Sequence, residues 1–152
     1  MPMQIVDTRC VAMSAYALHC ADSVILTHDG RILMQYRPPD WPSFPNVISL
    51  FGGHVEAHES VVAALVRELA EELGAKVHPD DVVALGAVSE DFTKHQELVH
   101  LYFWHDKNGT ITGCYEAEAR FYATVQDIVQ QPNLMEYAAW ALRQAQQRNL
   151  IS

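Results

Sequence analysis

Glu68, Glu71 and Glu72 stand at i, i+3 and i+4 in a stretch, from about Glu59 to Leu73, that contains neither Pro nor Gly. On an α-helix these three carboxylates share an arc of roughly 100°. Like charges at that spacing oppose helix formation by roughly a few tenths of a kcal/mol per pair, a cost that a bound cation removes. Arg67 lies beside the cluster and is suited to pair with a carboxylate such as Glu59 or Glu56 and hold it in one orientation. Just upstream, Gly52 and Gly53 provide a bend whose backbone can approach a metal ion or a phosphate with no Cβ in the way. The 152-residue chain carries ten basic and nineteen acidic residues, a net charge of −9, which argues against binding a nucleic-acid backbone. A phosphorylated small molecule can still bind where a divalent cation sits between it and the carboxylates.

The spacing extends well beyond the three glutamates. Gly53, Glu59, Arg67, Glu68, Leu69, Glu71, Glu72 and Gly74 fit the pattern G-x5-E-x7-R-E-U-x-E-E-x-G-U, where U is a bulky aliphatic residue. At average residue usage, a chance match in a chain this long is below about one in a million. The pattern is the Nudix box, here Gly53 to Ala75, and the chain resembles the small single-domain, MutT-like Nudix hydrolases. Three positions depart from the usual form: Phe51 stands where Pro often precedes the glycine pair, His58 where Gly often precedes the first glutamate, and Ala75 is small. A His58 held at positive φ would be strained.

The resemblance implies hydrolysis of a nucleoside diphosphate linked to another moiety, by attack of water on phosphorus. It implies Mg²⁺, or Mn²⁺, held by the Gly52 carbonyl and by Glu68, Glu71 and Glu72, hard oxygen donors of the kind these ions take. Glu116 is the expected additional carboxylate. Glu71, Glu68, Arg67 and Glu59 are the expected catalytic set. The general base lies among Glu71, Glu97, Glu116 and Glu118, with a residue of the box favoured. Gly53, His54 and Phe92 are the expected substrate contacts, and Trp41, Phe44 and Trp104 are further aromatic residues able to stack on a base. No ADP-ribose, coenzyme A or NADH signature is present, so a nucleoside triphosphate leads as the substrate. Two other functions are compatible with the fold: a nucleotide-sensing module that does not cleave its ligand, and a diphosphate isomerase, whose cysteine has no evident place near the box.

Around this site the periodicities predict the supporting elements. Val24–Thr27 and Arg31–Tyr36 flank His28-Asp29-Gly30 as a hairpin. A proline-rich surface loop follows at 38–45. Val62, Val66, Leu69 and Leu73 form the apolar stripe of the box helix, which stops at Gly74. Val82–Val88, Leu98–Trp104 and Ala119–Val125 read as strands, the second nearly continuously apolar and so central. A short helix near Asp127–Val129 and a longer one from about Leu134 to Arg148 complete the chain. The expected fold is a single α/β (α+β) domain over residues 1–152, an α/β/α sandwich with a mixed central sheet.

His100 and His105 read as core or edge histidines. Cys10, Cys20 and Cys114 read as reduced, mostly buried thiols. A start without a basic segment and a long apolar one, and the absence of any bilayer-length apolar run, give a cytoplasmic expectation with no membrane and no nucleic-acid polymer as partner. A homodimer is compatible with all of this.

Overall fold

The computed structural model describes residues 3–152. Its strands are β1 (Met3–Val6), β2 (Leu18–Leu26), β3 (Ile32–Arg37), β4 (Val47–Ser49), β5 (Phe51–His54), β6 (Val83–Glu90), β7 (Glu97–His105) and β8 (Glu118–Tyr122). Its α-helices are α1 (Val61–Leu73), α2 (Val125–Val129) and α3 (Glu136–Gln147). The strands form one sheet in the order β1-β6-β7-β2-β3-β4, with β5 paired to β2 and β8 to β3. The β2–β7 pair is parallel, from Leu18 beside Glu97 to Leu26 beside His105. The other strand pairs are antiparallel, so the sheet is mixed, as expected.

Successive strand residues point to opposite faces, and both faces are apolar in the sheet centre. Val24, Met34 and Leu101 face Ile128 of α2 and Ala138, Ala141 and Leu142 of α3. Ala21, Ile25, Leu33 and Trp104 face Leu65, Leu69 and Leu73 of α1. These layers make the α/β/α sandwich, and burial of each of those α1 leucines contributes on the order of 2 kcal/mol. β7 lies between β6 and β2, where its continuous apolar run demands cover on both faces.

Ser60 caps the start of α1, its Oγ accepting the Ala63 N–H at 3.1 Å, and Gly74 ends the helix in the left-handed conformation. The buried line is Ala64, Leu65, Leu69, Glu72 and Leu73, whereas Val62 and Val66 are only partly buried. The stripe is therefore rotated from the one the valines suggest, and the rotation carries Glu72 into the interior. Other boundaries also move. β2 begins at Leu18, ahead of the expected hairpin arm, and β1, short and half polar, has too little periodicity to be read from sequence. Val125 opens α2 instead of ending β8, because the Thr124 hydroxyl accepts the Asp127 N–H and starts a helix there. Cys10 is exposed, contrary to the expectation of mostly buried thiols, while Cys20 is buried and Cys114 partly so. His100 is a core histidine packed on His19, with a ring nitrogen of each 3.0 Å apart. Among the described residues, no helix is long and apolar enough to cross a membrane.

Candidate active site

Two glycines and two glutamates interlock. β5 pairs with β2 so that Gly52 lies opposite Asp22 and Gly53 opposite Ala21. Gly52 has φ +149°, and a Cβ there would run into the Ala21 carbonyl and the Asp22 side chain. A Cβ on Gly53 would lie 2.5 Å from the Glu68 carboxyl carbon, so that carboxylate rests directly on the bend. The Gly52 N–H donates to Glu72 Oε2 at 3.0 Å. Glu72 is only 4% exposed, and burial, followed by the charges of Asp22, Glu68 and Glu116, pushes its carboxyl up to about 9. Glu68 is also raised, chiefly by burial, against the opposing pull of Arg67. Glu71 diverges from this pair: its side chain is 51% exposed and does not line the cleft.

Arg67 ties the box together. Its Nε donates to Glu59 Oε2 at 2.7 Å, its Nη2 to Glu59 Oε1 and to the His54 carbonyl, both at 2.9 Å, and its Nη1 to Glu68 Oε1 at 2.8 Å. Glu71 and Glu56 stand farther away, at 3.5 and 3.9 Å. This fork holds the Glu59 carboxyl down to about 2, led by the Arg67 hydrogen bond. Glu59 in turn accepts the Glu56 N–H at 2.9 Å and closes the loop into α1. His58 in that loop sits at φ +68°, the left-handed conformation that a glycine would adopt without strain.

The interlock forms one wall of a cleft of about 670 Å³. Glu56, Glu68, Glu72 and Glu116 line that wall. The cleft continues past Asp22, which lies directly beside Gly52, to Gln35, Arg37, Glu90 and Tyr137, with Trp41, Phe44 and Phe92 also lining it. The Phe44 and Phe92 rings pack 5.0 Å apart. Trp104 is buried under α1 and does not line the cleft, and Glu118 is exposed on β8 outside it. His54 faces Glu97, its Nε2 3.7 Å from Glu97 Oε2, and the thiol of Cys20 donates to Glu97 Oε1 at 3.1 Å.

The polar groups that other elements bring into the cleft escape a sequence reading, except that Asp22 interrupts an apolar strand. In the structure Asp22 is half-buried, and desolvation leads in raising its carboxyl to about 7, against the pull of the Tyr137 hydroxyl. Glu90 is 6% exposed and likewise raised to about 7, chiefly by burial and next by Glu136. Its Oε1 has no hydrogen-bond partner. Arg37 Nε donates to Gln35 Oε1 at 3.1 Å.

The helix wall suits a hard divalent cation. Its donors are carboxylate oxygens, two of them with affinity for protons raised first by burial and then by neighbouring like charges, and a cation relieves that repulsion. Among the described residues, side-chain ligand atoms of three residues already within 4.8 Å of one another occur only at Cys20, His54 and Glu97, since Arg67 and the Gly52 amide engage the glutamates of α1.

A family model described as the NUDIX domain matches residues 18–144. A protein of Escherichia coli (strain K12) named CTP pyrophosphohydrolase is 33% identical over 112 residues, which are 72% of this chain and 78% of that protein. Among solved structures, the MutT protein of Methanosarcina mazei Go1 is similar at a TM-score of 0.69 and 15% identity, over 90% of this chain and 99% of that one. The E. coli ORF135 protein is similar at a TM-score of 0.67 and 25% identity, over 91% of this chain and 95% of that one.

Proposed function

The chain belongs to the Nudix family of hydrolases that act on phosphorus-containing anhydrides, and we propose that it is a Mg²⁺-dependent nucleoside triphosphate pyrophosphohydrolase with CTP as its leading substrate. The observation that carries this proposal is the interlock of Gly52 and Gly53 with Glu72 and Glu68 in the wall of the cleft. Glu68, Glu72 and the Gly52 carbonyl would hold the ion, joined by Glu116 from the cleft lining, and Glu71 would join them only by turning in from its exposed position. Once bound, Mg²⁺ supplies charge neutralisation at the phosphate oxygens and a more acidic attacking water.

The chain's own residues supply orientation. Arg67 fixes Glu68 and Glu59 through a planar fork that a lysine cannot reproduce. Gly53 leaves the room that the Glu68 carboxylate fills against the bend. Of the candidate bases, Glu97 and Glu116 line the cleft, whereas Glu118 and Glu71 stand outside it, and among the box glutamates Glu68 and Glu72 face the cleft. At the opposite end, Trp41, Phe44 and Phe92 offer aromatic surface for a base. The partnerless Oε1 of Glu90 is matched by an N–H donor, and the amino group of cytosine is one. The name of the E. coli relative supports the same base.

The test is release of pyrophosphate from a panel of nucleoside triphosphates with Mg²⁺ or Mn²⁺. The expected result is conversion of CTP to CMP and pyrophosphate ahead of UTP. Tight nucleotide binding without turnover under any of these conditions would replace the enzyme with the sensing module.

A further inference from the structure

Cys20 on β2, His54 at the end of β5 and Glu97 at the start of β7 bring one sulfur, one imidazole nitrogen and one carboxylate together in the cleft, with their ligand atoms within 4.8 Å of one another. We propose that they form a site for a soft divalent transition-metal ion such as Zn²⁺, separate from the all-oxygen glutamate site on α1. The proposal is independent of whether the chain cleaves a nucleotide.

The distances fit such an ion. Tetrahedral zinc with sulfur, nitrogen and oxygen at their usual bond lengths sets neighbouring donors about 3.3–3.7 Å apart. Cys20 Sγ lies 3.1 Å from Glu97 Oε1, and His54 Nε2 lies 3.7 Å from Glu97 Oε2, so small side-chain adjustments suffice. The scaffold is rigid. Cys20 and His54 are directly paired in the β2–β5 ladder, and Glu97 pairs with Leu18 in the parallel β2–β7 ladder. Each donor therefore stands on a neighbouring strand held by backbone hydrogen bonds.

The charges fit as well. Binding transfers the Cys20 thiol proton to solvent, and thiolate plus carboxylate then balance a divalent ion. The nearby carboxylates of Asp22 and Glu68, both acting on Cys20, add further negative potential. All three donors line the cleft, which leaves a fourth position for water or a ligand anion. The sulfur donor separates this site from the helix glutamates, because thiolate favours Zn²⁺ or Co²⁺ over Mg²⁺.

The probe is Co²⁺ added to the chelator-treated full-length chain with Mg²⁺ in excess and no nucleotide present. The expected result is one equivalent of bound Co²⁺ with a thiolate-to-cobalt charge-transfer band. The band is lost in Cys20→Ser and retained in Cys10→Ser, Cys114→Ser and Glu72→Gln. Affinity falls at least about tenfold in His54→Ala and in Glu97→Gln. His54 is largely exposed, so His54→Ala tests the site even if a change at buried Cys20 disturbs folding. No charge-transfer band in the wild-type chain, its persistence in Cys20→Ser, or unchanged affinity in His54→Ala would overturn the site.

Discussion

The two ends of the cleft are built in different ways. At one end the carboxylates come from a single helix and meet a bend one strand away, so Glu68 and Glu72 share a wall because 3.6 residues make a turn. At the other end Gln35, Arg37, Glu90 and Tyr137 come from β3, β6 and α3, and only the strand order places them side by side. Their chemistry differs too. The helix end, with Asp22 beside it, accumulates negative charge that a cation relieves, whereas at the other end Glu90 is raised to about 7, chiefly by burial, and Arg37 contributes a positive charge. One end is suited to ion and phosphate, the other to an uncharged base.

This contrast predicts that substitutions at the helix end act on turnover and those at the opposite end on selection. Glu72→Gln and Glu68→Gln should each lower kcat by about 10³-fold or more with little change in KM, measured as pyrophosphate release. Thermal unfolding of metal-free Glu72→Gln should be no easier than for wild type, because the change removes a buried carboxyl crowded by like charges. A large rise in KM with kcat preserved would break the contrast.

Arg67→Lys should cost about 10–100-fold in kcat/KM, since one ammonium cannot span Glu59, Glu68 and the His54 carbonyl together. Glu90→Gln should change the ratio of kcat/KM for CTP and UTP by about tenfold while leaving kcat for the better substrate nearly unchanged. Equal losses on both nucleotides would remove base selection from this end.

The smallest effect concerns the β2–β7 pairing that builds the second end. Burial, and then His19, lowers the His100 ring to about 4. The unfolded chain takes up that proton near the ordinary histidine value, so the folded chain binds fewer protons between about pH 6.5 and 4. Stability from this group is complete above that window and is lost as pH falls through it. Glu90 and Asp22 oppose it, because raised carboxyls favour the folded state at low pH and lose that contribution as pH rises towards 7. The difference between chains is therefore the readout. His100→Gln should flatten the acid loss in denaturant unfolding by on the order of 1–2 kcal/mol relative to wild type.

The same contrast explains what could be read from the amino-acid order. The box helix, the Asp29-Gly30 hairpin, the central β7 and the pairing of Arg67 with Glu59 all follow from short-range spacing, and each stands where it was expected. His58 at positive φ was legible for the same reason, since the departure from glycine sits inside a fixed pattern. Asp22 and Glu90 carry no local signal that says which side chains they will face, because their neighbours lie many residues away. The divergence of Glu71 was hidden as well. Helical spacing sets an arc but not its rotation against the sheet, and packing of Leu65, Leu69 and Leu73 turned Glu72 inward and Glu71 out. Cys20 and His54 met Glu97 through strand register alone.

The central claim is that the glycine bend and the α1 glutamates hold the ion that supports diphosphate cleavage. It is tested most directly by anomalous diffraction from crystals soaked with Mn²⁺ and a non-hydrolysable CTP analogue. The account predicts a peak between Glu68, Glu72 and the Gly52 carbonyl, in contact with the phosphates. A complex with ordered phosphates and no peak there, or with Mn²⁺ bound only elsewhere, would contradict it.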